Sequence, residues 1–229
     1  MEYQKSSNLD PNARLEISRI FVEGFYEWFK YFSKDKNKLT AAFSDAFVWE
    51  KFYVAMENGK IIGIAALTNG IETVVITNKK TLRKHLGFIR GSIAKFFLKK
   101  ELEKHSYPFD MCADTDSIEF IAVDKDYRGK NIAGGLLDYI AQNSSKNRFV
   151  LEVASSNTSA IRAYEKFGFV EFFTINLSSK EQKYAGFEKY IYMEYIKQSV
   201  PKKWISNSNM SSRGEITLSS TKSTKNQSY

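Results

Sequence analysis

The chain has 229 residues, 43% of them hydrophobic and 15% aromatic, with a formal net charge of +8. That length and apolar content support one sizeable core and exclude a chain disordered throughout. A single cysteine, Cys112, excludes an internal disulfide framework and any multi-cysteine metal site, and fits a reducing compartment. Residues 1–16 hold no signal-like apolar run, and no apolar stretch approaches the roughly 20 residues that span a bilayer. A soluble, cytoplasmic protein with no membrane partner is expected. From Pro201 onward five basic residues face Glu215 alone. The rest is a mildly basic body, compatible with an anionic cofactor but short of the dense stripe of a nucleic-acid binder, so no nucleic acid is expected.

In chain order, residues 12–33 carry Leu15, Ile17, Ile20, Phe21, Phe25, Trp28, Phe29 and Phe32 at near-helical spacing. A short helix is expected over 38–48. "FYVAMENGKIIGIAALT" reads as two strands turning at Glu57-Asn58-Gly59, because Asn and Gly both tolerate positive φ. Residues 79–105 form a basic amphipathic helix with Leu82, Leu86, Ile89, Ile93, Phe96, Phe97 and Leu102 on its apolar side, kinked at Gly87 or Gly91. It is expected to pack on a sheet with its lysines in water, the alternative being a membrane-surface role. A strand (117–123), a helix (130–144), a strand (148–154) and a helix (157–167) follow. Two final antiparallel strands (169–177 and 187–196) complete the folded part. The alternation implies right-handed crossovers and an α/β fold with parallel or mixed strands. The segment 198–229 is rich in Ser, Thr, Asn and Lys and reads as a disordered tail after a single domain, 1–197.

"AVDKDYRGKNIAGGLLDYI" (122–140) crowds Arg128, Gly129, Lys130, Asn131, Ala133, Gly134 and Gly135 into the start of a helix, although Gly and Asn are poor helix formers. Free N–H groups at a helix start attract anions, and bare backbone lets a phosphate approach. Close packing would ask for the same small residues. The turn matches neither the Walker pattern, since Asn131 follows Gly129-Lys130, nor the dinucleotide Gly-x-Gly-x-x-Gly pattern. A second segment, "LEVASSNTSAIRAYEKFGFVE" (151–171), ends a strand at Ser-Ser-Asn. Asn157 can cap the next helix and Gly168 can close it. Tyr164 fits either a core position or a functional one.

Together these blocks resemble the GNAT superfamily, the Gcn5-related N-acetyltransferases. "IEFIAVDKDYRGKNIAGGLL" fits that family's Arg/Gln-x-x-Gly-x-Gly/Ala signature at Arg128, Gly129, Lys130, Asn131, Ile132 and Ala133. "NTSAIRAYEKFGF" fits Asn-x-x-Ala-x-x-x-Tyr-x-x-x-Gly-Phe. Asn131 departs from the usual Gly, although Asn is the non-Gly residue most at home at positive φ.

The resemblance implies a GNAT fold: a mixed central sheet, flanked by helices, whose two middle parallel strands splay apart. It implies acetyl-CoA as cosubstrate, no metal, and a small-molecule or peptide amine as acceptor; a homodimer stays open. The splay would fall between strands 117–123 and 148–154. Cofactor contacts would come from Ile121, Ala122 and Val123, from Arg128 to Gly134 at the pyrophosphate, and from Asn157 at the pantetheine arm. The Val123 N–H would polarise the thioester carbonyl, and Tyr164 would protonate the departing thiolate.

An amine acceptor must lose a proton, since a free lysine-like amine has a pKa near 10.4. Glu119 is the candidate base, with Asp116 and Glu152 behind it. Catalysis by Cys112 is not expected. The alternative to an enzyme is a GNAT-like module that binds CoA or a protein without turnover. Acceptor selection would fall to "TNGIETVVITNKK" and "SSKEQKYAGFEK", whose mixed charges and aromatics name no single substrate.

Overall fold

The computed structural model describes residues 1–103 and 107–197; the tail expected to be disordered lies outside them. The strands are β1 (Glu2–Lys5), β2 (Phe52–Glu57), β3 (Lys60–Thr68), β4 (Thr115–Val123), β5 (Arg148–Ala154), β6 (Val170–Asn176) and β7 (Lys189–Ile196). The helices are α1 (Ala13–Gly24), α2 (Tyr26–Phe29), α3 (Lys36–Phe43), α4 (Lys79–Leu86), α5 (Phe88–Glu101), α6 (Ile132–Asn143), α7 (Thr158–Phe167) and α8 (Ser179–Ala185). The strands form one sheet in the order β1-β2-β3-β4-β5-β7-β6. Every neighbouring pair is antiparallel except β4 and β5. A parallel pair needs a crossover, and α6 supplies it.

Asn58 and Gly59 take φ of 51° and 75°, the left-handed pair that closes the β2–β3 hairpin. Both faces of β2 and β3 are covered. Ile17, Phe21, Leu39, Phe43, Phe52, Val54 and Ile64 join one core with α1 and α3. Tyr53, Ala55, Ile62, Leu136, Leu137 and Ile140 join the other with α6. A side chain at Gly63 would meet Ile132 Cγ2 at 2.8 Å, so this glycine lets α6 sit down on the sheet.

Between β3 and β4 the register slips: Ile64 faces Ala122 but Ala66 faces Glu119. The extra residue bulges β4, and Phe120 adopts φ of 52°. Left-handed backbone at an aromatic residue costs about 1–3 kcal/mol. Ring contacts to Phe21 and Phe25, at 5.4 and 5.6 Å, hold Phe120 there.

Several elements depart from the sequence expectation. The 12–33 pattern breaks at Phe25, where ψ of 22° ends α1 before α2 begins. The short helix starts earlier than 38, because the Asp35 carboxylate accepts the Asn37 and Lys38 N–H groups at 2.9 and 3.2 Å. The basic helix divides at Gly87, whose φ of 87° and ψ of 160° are not helical. Gly91 lies instead inside α5, where an added Cβ would be 2.6 Å from the Arg83 backbone. The end of that pattern, 104–106, lies outside the described residues.

The apolar side expected for that helix also differs. Leu82, Leu86 and Leu102 are buried, but Ile89, Ile93, Phe96 and Phe97 are exposed, while Ala94 and Leu98 take the inward face. β1 and α8 were not expected at all. Among the described residues, no helix is long and apolar enough to cross a membrane.

Candidate active site

β4 and β5 pair only at Thr115–Arg148, Asp116–Phe149 and Ser117–Val150. Beyond those positions they part, and a cleft of about 470 Å³ opens between Ile118–Ile121 and Leu151–Ala154. Trp28 and Phe25 line it from the α1–α2 side, and Asn157, Tyr164 and Phe187 from the other. The gap lies where the sheet would otherwise continue its ladder, so main-chain groups on the facing edges are left available to a ligand.

The alternation of an antiparallel strand decides which groups face it. Asp124 N–H donates to Ile62 O at 2.9 Å, so the Val123 peptide N–H and C=O point away from β3. Arg128 Nε donates to Val123 O at 3.4 Å. By the same alternation the Ala122 peptide faces Ile64, and its side chain, 6% exposed, packs in the core. The polar groups of Ala122 thus belong to the β3 ladder. Ile121 does line the cleft.

Asp124 fixes the end of β4. Its carboxylate, 2% exposed, meets Arg19 at 2.9 Å and Lys60 at 3.3 Å, and accepts the Asp126 N–H at 3.1 Å. Burial pushes its pKa up, but the Asp126 N–H and the two cations outweigh burial and hold it below the ordinary value. A turn over Lys125–Tyr127 leads into Gly129 and Asn131, at φ of 77° and 60°. Asn131 thus takes up the left-handed backbone that Gly would otherwise supply.

Among the described residues, the N–H groups of Gly129, Asn131, Ile132, Ala133 and Gly134 have no hydrogen-bond partner; the Lys130 N–H donates to Tyr127 O at 3.4 Å. Lys130 Nζ lies 4.5 Å above the Tyr127 ring. The crowd of small residues has two causes. An added Cβ at Gly134 would lie 2.5 Å from Asn131 Oδ1, whereas one at Gly135 would lie 2.0 Å from Tyr3 Oη of β1. Gly135 therefore serves packing against β1, and Gly134 makes room for the Asn131 side chain, while the N–H groups of the turn stay without partners among the described residues.

Glu119, on the bulged part of β4, is half-buried in the cleft. Tyr107 Oη donates to its Oε1 at 3.1 Å, and also pairs with Ser117 Oγ. Burial pushes the Glu119 carboxyl up to about 7; the Tyr107 hydrogen bond pulls against this and the charge of Glu152 adds to it. Glu152 lines the same cleft from β5 and is hydrogen-bonded to Tyr192, whose phenol is raised chiefly by burial and then by Glu152. Tyr164 is buried, at 7% exposure, and burial raises its pKa so that it stays protonated. Its hydroxyl has no hydrogen-bond partner among the described residues, and the residue borders the cleft. Asn157 caps α7 through Oδ1, which accepts the Ala160 N–H at 3.3 Å, and it borders the cleft as well.

Of the expected site residues, Glu119, Ile121, Asn157 and Tyr164 come together around one cleft, while the Arg128–Gly134 turn follows from the end of β4. Asp116 lies elsewhere, accepting a hydrogen bond from Ser144 Oγ at 2.8 Å. Cys112 is exposed beside Thr115. Tyr107 and Tyr192 were not foreseen, because nothing in "HSYPFD" or "YIYMEY" marks their carboxylate partners.

The family model for the acetyltransferase (GNAT) family matches residues 15–169, and the chain belongs to that family, whose enzymes act on acetyl-CoA. Among solved structures it is similar to an N-acetyltransferase from Staphylococcus aureus Mu50, at 18% identity and a TM-score of 0.54, over 85% of this chain and 100% of that one. It is also similar to smu.2055 from Streptococcus mutans UA159, at 16% identity and a TM-score of 0.51, over 86% and 99%. A GNAT-family acetyltransferase from Streptococcus agalactiae 2603 aligns at 13% identity and a TM-score of 0.51, over 86% and 95%. At these identities the likeness bears on the fold. A comparison with curated proteins finds no match.

Proposed function

We propose that the protein transfers the acetyl group of acetyl-CoA directly to a primary amine, with Glu119 as base and Tyr164 as acid. One observation carries this reading: a carboxyl poised near neutrality and a buried, protonated phenol border the same gap between β4 and β5. Acetyl-CoA supplies an activated thioester. The chain's residues fit it. The Val123 N–H, which points away from β3, would be the donor to a carbonyl oxygen that gains charge, and the five N–H groups between Gly129 and Gly134 that have no partner among the described residues, with Arg128 beside them, suit a pyrophosphate.

Glu27, Glu119 and Glu152 border the cleft together with Trp28 and Tyr190. Carboxylates and aromatic faces suit an acceptor that enters as a cation. Glu119, directly or through water, takes a proton from the ammonium group. The freed nitrogen forms its bond to the acetyl carbon as the carbon–sulfur bond breaks, and sheds its second proton to solvent on becoming the amide. Tyr164 gives its proton to the departing sulfur and recovers one from solvent. Asn131, left-handed as a glycine would be, preserves the main-chain path on which donor binding depends.

A panel of primary amines with acetyl-CoA, followed by thiol release and by product mass, tests this. Turnover with at least one amine, lost in Glu119→Gln and Tyr164→Phe while CoA still binds, is the expected result. Absence of CoA binding by calorimetry overturns it.

A further inference from the structure

α5 is apolar on two opposite sides. Ala94 and Leu98 face inward at 0% and 1% exposure, while Phe88, Ile89, Ile93, Phe96 and Phe97 are 70%, 72%, 58%, 80% and 43% exposed. At 3.6 residues per turn these five fall within one half of the helix, opposite Ala94 and Leu98. Single exposed apolar residues are ordinary; five large ones on one helix face mark an interaction surface.

The same segment is strongly basic. Residues 79–101 carry eight Lys and Arg against Glu101 alone, a net +7, beside the basic tail and a slightly acidic remainder. Among the described residues, Lys95 pairs with Glu103 at 2.7 Å, while Lys79, Lys80, Lys84, Arg90 and Lys99 form no ion pair. The Arg83 guanidinium lies 4.0 Å from the Phe88 ring, a cation already seated at the apolar edge.

We propose that α5, with α4 beside it, docks on an anionic bilayer surface. The outward apolar side chains enter the boundary between headgroups and acyl chains, and the surrounding cations meet the lipid charge. A second copy of the chain would bring +7 against +7. Nucleic acid would satisfy the cations but leave five apolar side chains in water. A single convex helix offers no groove to a peptide. The proposal does not depend on acetyl transfer. It reverses the expectation of no membrane partner, which took Ile89, Ile93, Phe96 and Phe97 as a buried side.

Flotation of the full chain with phosphatidylcholine vesicles, with and without phosphatidylglycerol, tests it. Binding is expected only with the anionic lipid and should weaken as salt rises. Arg90→Gln and Lys99→Gln should each lower the partition coefficient about fivefold, the equivalent of roughly 1 kcal/mol per cation at an anionic surface. Ile89→Ser with Phe96→Ser, both exposed and tolerable to the fold, should abolish flotation. No binding at low salt overturns the proposal. So does binding that survives the double serine variant, which would assign the effect to charge elsewhere, such as the tail. Sedimentation showing self-association that depends on Ile89 and Phe96, without flotation, overturns it in favour of a dimer.

Discussion

The Tyr107 hydroxyl donates a hydrogen bond to Glu119 Oε1 at 3.1 Å, so a residue of the segment leading into β4 opposes the burial that raises the pKa of a carboxyl inside the cleft. As the proposed base Glu119 would work only when ionised, and burial pushes its carboxyl up to about 7. The rate kcat/KM should therefore rise with pH through about 7. Tyr107→Phe removes the interaction that lowers this pKa and should shift the rise to higher pH. Glu152→Gln removes a neighbouring negative charge and should shift it lower. Glu119→Gln should cost about 10²–10⁴-fold and erase that limb. Steady-state rates from pH 5.5 to 9 check all three; identical profiles for Tyr107→Phe and the parent would sink the assignment.

Tyr164→Phe should reduce kcat by about 10²-fold or more, the range for loss of a positioned acid, and leave CoA affinity within about twofold. Burial keeps this phenol protonated across the working range, so the parent should show no alkaline limb from it below pH 10. Calorimetry beside rapid thiol release separates binding from chemistry.

Glu119 also destabilises the fold that holds it. Its carboxyl has an ordinary value of 4.5 and lies at about 7 in the folded chain. The folded state therefore binds the proton more tightly, and stability falls as pH rises through that window. Glu119→Gln should make the ligand-free protein more stable by about 1–3 kcal/mol at pH 8, with no gain at pH 4.5. Urea unfolding at the two pH values measures it, and equal stability at pH 8 contradicts it.

Gly135→Ala places a methyl group 2.0 Å from the present position of Tyr3 Oη. The clash should cost about 1–3 kcal/mol, as overpacking does. Tyr3→Ala should cancel most of that penalty in a double-mutant cycle. Additive effects would show that β1 does not rest on α6 as described.

Asn131→Gly takes away the Oδ1 atom that lies over Gly134. Uncovering the first turn of α6 should tighten acetyl-CoA binding about two- to fivefold, in line with 0.3–1 kcal/mol for a charge at a helix start. Titration calorimetry with both chains settles the direction.

Local signals made the central elements legible. Asn58-Gly59 fixed the hairpin because its backbone angles are intrinsic to those two residues. The strands and helices around Gly129 and Asn157 showed because glycines and caps punctuate them. Glu119 and Tyr164 were tied to one site by the family resemblance, which placed the splay between strands 117–123 and 148–154; their own spacing left each with a structural reading as well. β1 escaped notice because four residues are too few for alternation to register. α8 could have been found, since Ser178 and Glu181 form a capping box that is readable as Ser-x-x-Glu. The outward face of α5 was misread because periodicity reports that apolar residues align, not which side of the helix has a neighbour. Tyr107 was illegible for a different reason: its partner is reached only through the fold.

The three paired positions that join β4 to β5 leave the sheet as two panels meeting along a short seam. One panel carries β1 to β4, the other β5, β7 and β6. A molecule that filled the gap, as proposed for acetyl-CoA, would act as a removable eighth strand. Its occupancy would then govern how rigidly the panels are braced, as well as whether the proposed reaction takes place.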